Sequence, residues 1–356
     1  VLGTFVYSCL VYNLAVSLSR GVFTYTLTNT LFHQVIIVRK RPPLSFPQLL
    51  VCISLLCALT GALTLVASHT SPDRHFEQFT SQLFQEEMTG STLNMHYTIA
   101  DPKTFGISEY EPVLPIYHSG QPEDSKEHCS DLLHRLDRID PDRLSPENAY
   151  TYRLLHRSLE NDLALADFPY YNEPLSPSSG MQSQLPVLLA EYTFRTKRDV
   201  TDYLALLDQI DDYFASLLLY EQEKAAAGFF MPACSSEKVR KQCDTIVTTE
   251  ELAQGTHFLQ TTFEDRLSEL QKQGLFTPEE TASLIKTNDR LLATVVQPAY
   301  AALSEGLHSL ETSTNADSTA SETTTNAASG KNNSVHNGLP KGLALLPDGK
   351  TYYLHL

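Results

Sequence analysis

Apolar residues recur at intervals of three and four along most of the chain after residue 72, and this period is typical of amphipathic helices. The clearest stretch runs from Asp199 to Ala227, and Gly228 is the stop signal that follows it. Alternation with period two is scarce, so the sequence predicts an all-α, mainly helical fold. The other stretches with a helical period are residues 236–247, 249–273 and 278–310.

Three predicted helices, two of them earlier in the chain than these stretches, have the same start signal, a hydroxyl residue followed by proline. The hydroxyl oxygen can accept a hydrogen bond from a free backbone N–H, and proline has no N–H to leave unpaired in the first turn. The predicted starts are Ser71-Pro72, Ser145-Pro146 and Thr277-Pro278. Together with the apolar period, they predict a helical domain over residues 73–310.

The chain after residue 310 has a different composition. Residues 311–337 are rich in Ser, Thr, Asn and Ala and hold almost no large apolar side chain, so they are predicted to form a flexible linker. In residues 338–356, Pro347-Asp348-Gly349 is a turn signal between two apolar runs. This pattern predicts a β-hairpin, which we expect to begin a C-terminal part that continues beyond Leu356.

The N-terminal region predicts a membrane segment at residues 47–68, where no side chain is charged. A helix of about 20 apolar residues can cross a bilayer, so this segment is long enough. Arg39-Lys40-Arg41 precede it, and the positive-inside rule then places residues 1–46 in the cytoplasm. The expected location is therefore the cell membrane, single-pass, with the bulk of the chain extracytoplasmic.

Two alternatives stay open for the same region. A signal peptide cleaved after Ser68 would also explain the apolar segment, because Val66-Ala67-Ser68 ends in small residues. Residues 1–38 are either a further span or sequence upstream of the mature protein.

Charge excludes one class of partner. The first 72 residues carry four basic and no acidic side chains, whereas the rest of the chain carries 22 basic and 42 acidic ones. Such an acidic body repels phosphate backbones, so nucleic acid is not expected as a partner.

Catalytic and metal-binding motifs are absent from the sequence. It has no H-E-x-x-H, G-x-S-x-G, Walker A or C-x-x-C pattern, so no catalytic residue and no metal ligand are assigned. His156 and Glu160 lie four residues apart, which predicts a surface hydrogen bond rather than half of a metal site. Cys234 and Cys243 either pair outside the cytoplasm or remain free thiols.

Three segments combine hydrogen-bonding groups with aromatic rings, as a substrate cleft does. They are residues 92–107, residues 170–192 and the predicted hairpin. The alternative to a binding role is a structural one, in which these polar groups form hydrogen bonds with buried partners and Gly180 lets neighbouring atoms pack closely against it. The candidate substrate-binding residues in the three segments are His96, Tyr97, Gln182, Gln184, Glu191, Tyr192, Tyr352 and Tyr353.

The same segments carry a resemblance to a known family. Over residues 74–356 the chain resembles bacterial proteins of the domain-of-unknown-function 885 family. The resemblance lies in the order and density of several short runs rather than in one motif. These runs are His96-Tyr97, Glu173–Tyr192, Asp199-Val200, Tyr203-Leu204, Gly228–Met231, Pro298–Tyr300 and Gly342–Tyr353.

The resemblance implies a function for the whole protein. The family resembles helical zinc metallopeptidases of the zincin type, is often exported or lipid-anchored, and in many members has an H-E-x-x-P-G-H segment downstream of the hairpin. In that segment two His would bind zinc and the Glu would activate water. This sequence contains no such segment, so zinc is implied only for a C-terminal half and no ligand can be assigned here.

Three hypotheses follow for function. The first is the N-terminal part of a membrane-anchored, extracytoplasmic, metallopeptidase-like hydrolase that acts on peptides, with this chain as one wall of a substrate channel. The second is a non-catalytic extracytoplasmic helical module that binds peptides or cell-wall components. The third is a membrane sensor in which residues 1–68 form two spans.

Overall fold

The computed structural model describes residue 54, residues 71–324, residue 343 and residues 346–356. The segment 1–46, the predicted membrane segment 47–68 (apart from residue 54) and residues 325–342 lie outside this description. Within the described ranges, no helix has both the length and the apolar character needed to span a bilayer. The chain divides into two compact units, Val1–His75 and Phe76–Leu356, and His96 lies in the second.

Helices account for the regular structure of the described residues, which contain no strand. Short 3₁₀ turns lie at Pro102–Phe105 and Pro141–Arg143, and a π-helical turn lies at Leu292–Val296. The α-helices are α1 Pro72–Thr89, α2 Thr92–Thr98, α3 Gln121–Leu136, α4 Pro146–Leu165, α5 Met181–Glu191, α6 Lys197–Leu207, α7 Ile210–Ala226, α8 Ala233–Ile246, α9 Thr249–Gln254, α10 Phe258–Lys272, α11 Pro278–Leu291, α12 Gln297–Thr324 and α13 Gly349–His355.

The predicted start signals are confirmed by the capping geometry. The hydroxyl of Ser145 accepts a hydrogen bond from the backbone N–H of Asn148 at the start of α4. Thr277 and Glu280 form a reciprocal capping box at the start of α11. Each cap satisfies backbone N–H groups that have no partner inside the helix, which is why the local signal is reliable.

The single helix predicted over residues 199–227 is wrong, because the structure has two helices, α6 and α7, with a break at Asp208 and Gln209. The Gln209 amide donates to the carbonyls of Ala205 and Pro112, and its side-chain oxygen accepts from the N–H of Leu114. These bonds to a distant segment stabilise the break. The helix predicted over residues 249–273 also divides, because Gly255 has a left-handed conformation (φ 67°) that ends α9.

The predicted β-hairpin is also wrong. The chain does turn at Pro347 and Asp348, and Asp348 has a positive φ of 55°, but it continues into helix α13. The helix places the ring of Tyr352 4.4 Å from that of Tyr171. Aromatic packing against a distant part of the chain therefore accompanies the helix, and a local turn rule does not include such contacts.

The segment predicted to be a flexible linker is helical in its first part. Helix α12 extends from Gln297 to Thr324 and so includes the start of segment 311–337. The remainder of that segment lies outside the described residues.

The main hydrophobic core is formed by α5 to α8 and α10 to α12. Its largest fully buried side chains include Tyr203, Phe214, Phe263 and Tyr300. A second cluster joins α1, α3 and α4, and a third, smaller cluster joins the end of α1 to α2 and the loop that follows. The members of this third cluster are Met88, Met95, Ile99 and Ile107.

An extended segment, residues 107–117, joins the small cluster to the main core. Val113 exchanges hydrogen bonds with Thr92 of α2, since its N–H donates to the Thr92 hydroxyl and its carbonyl accepts from the Thr92 N–H. The Tyr117 N–H donates to the Ser216 hydroxyl on α7. These bonds tie α2 to α7 through the extended segment.

Cys234 and Cys243 are free thiols, one exposed and one buried. Both lie on α8, where nine residues correspond to two and a half turns. The two side chains therefore leave opposite faces of the helix, and this geometry resolves the alternative in favour of unpaired cysteines.

Candidate functional site

His96 on α2 and Tyr192 at the end of α5 form a stacked pair. Their ring centroids lie 3.6 Å apart and the ring planes differ by 13°. Both side chains are buried. The fold thus brings together two of the residues that the sequence proposed, although nearly a hundred positions separate them.

The imidazole of His96 has a defined orientation. Its Nε2 accepts a hydrogen bond from the backbone N–H of Thr193, with an N···N distance of 3.1 Å. The neutral ring therefore carries its hydrogen on Nδ1, which lies 3.9 Å from Oδ1 of Asp199. Burial lowers the pKa of His96 to about 4. The negative charge of Asp199 partly opposes this shift, and the positive charges of Arg195 and Arg266 add to it. The ring is thus neutral at pH 7.

Arg266 on α10 fixes the chain around Tyr192. Its guanidinium donates to the carbonyls of Leu189 (3.0 Å) and Tyr192, so it caps the end of α5. The same group lies 4.5 Å from the centroid of the Phe194 ring, which shields it from water. Arg266 therefore positions the Tyr192 ring that stacks on His96.

A cavity of about 500 Å³ opens beside this pair. Its apolar lining includes Met95, Ile99 and Ile107 of the small hydrophobic cluster. Its charged lining includes Lys103 and Arg195. A cavity with an apolar floor and a few polar groups is the usual form of a small-ligand site.

Tyr110 and Arg198 line another side of the cavity and hold the buried carboxylate of Asp202 behind it. The hydroxyl of Tyr110 donates to Oδ2 of Asp202 at 2.6 Å, and Nε of Arg198 lies 3.5 Å from the same oxygen. The Arg198 guanidinium lies 3.9 Å from the centroid of the Tyr110 ring. Burial raises the pKa of Asp202, and burial together with the bond to Asp202 raises the pKa of Tyr110 to about 12. Arg198 is thus held by both Asp202 and Tyr110.

Residues 103–356 match the family described as "Bacterial protein of unknown function (DUF885)". The chain belongs to the DUF885 family. Among curated proteins no significant match was found.

The fold of this DUF885 protein is similar to a solved structure, "The crystal structure of the putative lipoprotein from Colwellia psychrerythraea". The TM-score is 0.55 at 15% sequence identity, and the alignment covers 67% of this chain and 41% of the Colwellia chain. At this identity the similarity shows a common fold. The chain thus aligns with less than half of the Colwellia protein.

Tyr97 and Glu191 flank the stacked pair of the DUF885 protein on its outer side. The Tyr97 hydroxyl donates to the carbonyl of Leu188 at 2.5 Å, and its ring meets that of His96 edge-on at 5.4 Å. Burial and the negative charge of Glu191 raise the pKa of Tyr97. Neither side chain lines the cavity.

Gln182 and Gln184 do not line the cavity. Gln182 is fully buried and donates to the Ser176 carbonyl (2.6 Å) and to Oε1 of Gln242 (2.8 Å), so its role here is structural. Gln184 is exposed. The prediction that Gly180 allows close packing is confirmed, because a Cβ at this position would lie 2.2 Å from the backbone nitrogen of Ser176.

Tyr352 lies in a separate cavity of about 460 Å³. Aromatic rings of Tyr117, Phe168 and Tyr220 line this cavity with it. Tyr353, the neighbouring candidate, is 68% exposed and lines neither cavity. The eight candidate residues thus do not form one site, and only His96 and Tyr192 line the cavity described above.

The cavity residues do not fit a zinc ion. Among residues 71–324 and the other described positions, no group of three His, Cys, Asp or Glu side chains is arranged to hold a metal. The Nε2 lone pair of His96 is already used by Thr193. His156 lies 3.4 Å from Glu160 near the surface, as their spacing predicted, and also 3.1 Å from Asp137.

Sequence reasoning missed Lys103, Tyr110, Arg195 and Arg198 as lining residues. One signal was available, because Thr196 and Asp199 form a capping box that begins α6 at the cavity. That pattern would have placed a helix start, with its neighbours Arg195 and Arg198, next to the Glu191-Tyr192 run.

Proposed function

We propose that this DUF885 protein forms part of a membrane-anchored, extracytoplasmic, metallopeptidase-like hydrolase, and that the cavity beside His96 belongs to its peptide-binding surface. The cavity is the observation that carries the proposal. It combines an apolar floor, which suits a side chain, with hydrogen-bonding and charged groups, which suit a peptide backbone or its ends.

Two further observations support the location. The Colwellia protein of similar fold is described as a "putative lipoprotein". In the present chain, the uncharged segment 47–68 is long enough to serve as an anchor. We therefore propose that the helical domain works on the outer side of the cytoplasmic membrane.

The metal part of the proposal concerns residues outside this sequence. The cavity does not fit zinc, and the family resemblance implies that the zinc ligands lie on an H-E-x-x-P-G-H segment downstream of Leu356. The described helices would then form one wall of the substrate channel, with His96 and Tyr192 as contact residues.

The test begins with the open reading frame and continues with its full product. We expect an in-frame H-E-x-x-P-G-H segment downstream, and hydrolysis of an internally quenched peptide that a chelator abolishes. His96→Gln should raise the KM for that peptide. His134→Gln, which makes the same change at an exposed position on α3, should leave the KM unchanged.

Two results would contradict the proposal. One is a full-length product that binds peptides but hydrolyses none, which would favour a binding module. The other is chelator-sensitive hydrolysis by the 356-residue chain itself, since its described residues offer no metal site.

A further inference from the structure

We propose that the cavity beside His96 binds the C-terminal carboxylate of a peptide, held by Lys103, Arg195 and the Nδ1–H of His96. The peptide nature of the ligand rests on the proposed function above. The carboxylate is a separate inference from the donors that line the cavity.

The first observation is an unused donor on a buried side chain. The His96 side chain is 5% exposed and faces the cavity. Since Nε2 accepts from Thr193, the neutral ring presents Nδ1–H, and Asp199 Oδ1 at 3.9 Å is too far to accept it. The Nδ1–H thus has no acceptor within hydrogen-bond distance in the protein, and a ligand oxygen in the cavity could accept from it.

The second observation is a pair of cations without carboxylate partners. Lys103 on the 3₁₀ turn and Arg195 on the link between α5 and α6 reach the cavity from two separate elements. Neither forms an ion pair within the described part of the chain. Arg198 is different, because Asp202 and the Tyr110 carbonyl already engage it.

The acidic residues of the cavity already have hydrogen-bond donors. Oδ1 of Asp101 accepts from the backbone N–H of Lys103 at 3.1 Å. Oδ2 of Asp199 accepts from the backbone N–H groups of Arg195 (2.8 Å) and Thr196 (2.7 Å). Both carboxylates thus cap helical turns, where N–H groups stabilise their charge. The side-chain cations remain available to an incoming anion.

The lining also indicates what the anion is attached to. Met95, Ile99 and Ile107 form an apolar floor within the same cavity as the two cations. The C-terminal residue of a peptide has this combination, an apolar side chain next to a carboxylate. A volume of about 500 Å³ is within the range of pockets that hold small ligands.

The test compares two probes that differ only in the terminal group. Acetyl-Ala-Leu with a free carboxylate and its carboxamide are titrated into the full chain by calorimetry at pH 7. We expect the carboxylate to bind about tenfold more tightly or better, since charge-assisted hydrogen bonds are roughly twice as strong as neutral ones. Adding salt should narrow the difference.

Three variants locate the effect. Lys103→Gln and Arg195→Gln should each weaken carboxylate binding by about tenfold and leave the carboxamide unchanged. Lys241→Gln, an exposed lysine on α8, is the matched control and should change neither. The melting temperature of each variant checks that it is folded.

The outcomes separate this inference from the proposed function. Three results would overturn the inference. The two probes could bind with equal affinity, neither probe could bind, or both Lys103→Gln and Arg195→Gln could bind the carboxylate as tightly as the wild type does. If the probes bind equally while the full-length product hydrolyses peptides, the proposed function stands alone. If the carboxylate binds preferentially and no product hydrolyses peptides, the inference stands alone.

Discussion

The stability of the helical domain should depend on pH through His96. Its folded-state pKa of about 4 lies below the ordinary value of 6.5, because the buried ring is poorly solvated. Between these two values the unfolded chain binds more protons at this position than the folded chain. The sign is therefore fixed: the contribution of His96 to stability is present above pH 6.5 and is lost as pH falls towards 4.

The magnitude follows from the size of the shift. One pKa unit corresponds to about 1.4 kcal/mol, so lowering the pH from 7 to 5 should remove about 2 kcal/mol of the free energy of unfolding. Other groups titrate in the same window, so the quantity to measure is a difference. The stability gap between the wild-type chain and His96→Gln should shrink by about 2 kcal/mol between pH 7 and pH 5.

Urea unfolding at the two pH values measures this gap, and His134→Gln, exposed on α3, controls for the change of residue type. A proton NMR titration of the imidazole should give a midpoint near the pKa of about 4. A midpoint near 6.5, or a gap that does not change with pH, would show that the ring is solvated and that the stacking on Tyr192 is not the folded arrangement.

Two other predictions concern buried positions. Neither carboxylate oxygen of buried Glu221 has a hydrogen-bond partner, and the Lys224 ammonium lies 3.9 Å from its Oε1. Burial raises the pKa of Glu221 from 4.5 to about 7, and Lys224 opposes only part of this shift. Because the folded pKa is the higher one, the wild type loses stability as pH rises through this window. Glu221→Gln should therefore gain about 2 kcal/mol relative to the wild type between pH 5 and pH 8 in urea unfolding, and a constant difference would indicate a hydrated carboxylate. Gly180→Ala would place a methyl carbon 2.2 Å from the nitrogen and 2.6 Å from the oxygen of Ser176, so we expect a loss of about 2 kcal/mol or more. Gly120→Ala, where the space is open but φ is 86°, should lose only about 1 kcal/mol, and equal losses would contradict the packing argument.

The candidate site shows the limit of reasoning from sequence. The pattern around residues 92–107 and 170–192 indicated polar and aromatic groups suited to a cleft, and His96 and Tyr192 do meet there. The same reasoning selected Gln182, which is buried against α8, and Tyr352, which lines another cavity. Residue type and clustering along the chain do not reveal which groups share a cavity.

The sequence by itself determined the helical class and the helix starts at Ser145 and Thr277. Those features depend on hydrogen bonds and side-chain periods within a few residues, which local sequence specifies fully. Only the tertiary structure decided the break at Gln209, the helix that replaces the predicted hairpin, and the stacking of His96 on Tyr192. Each of these depends on contacts between residues far apart in the chain, whose free energy exists only once the helices have packed together.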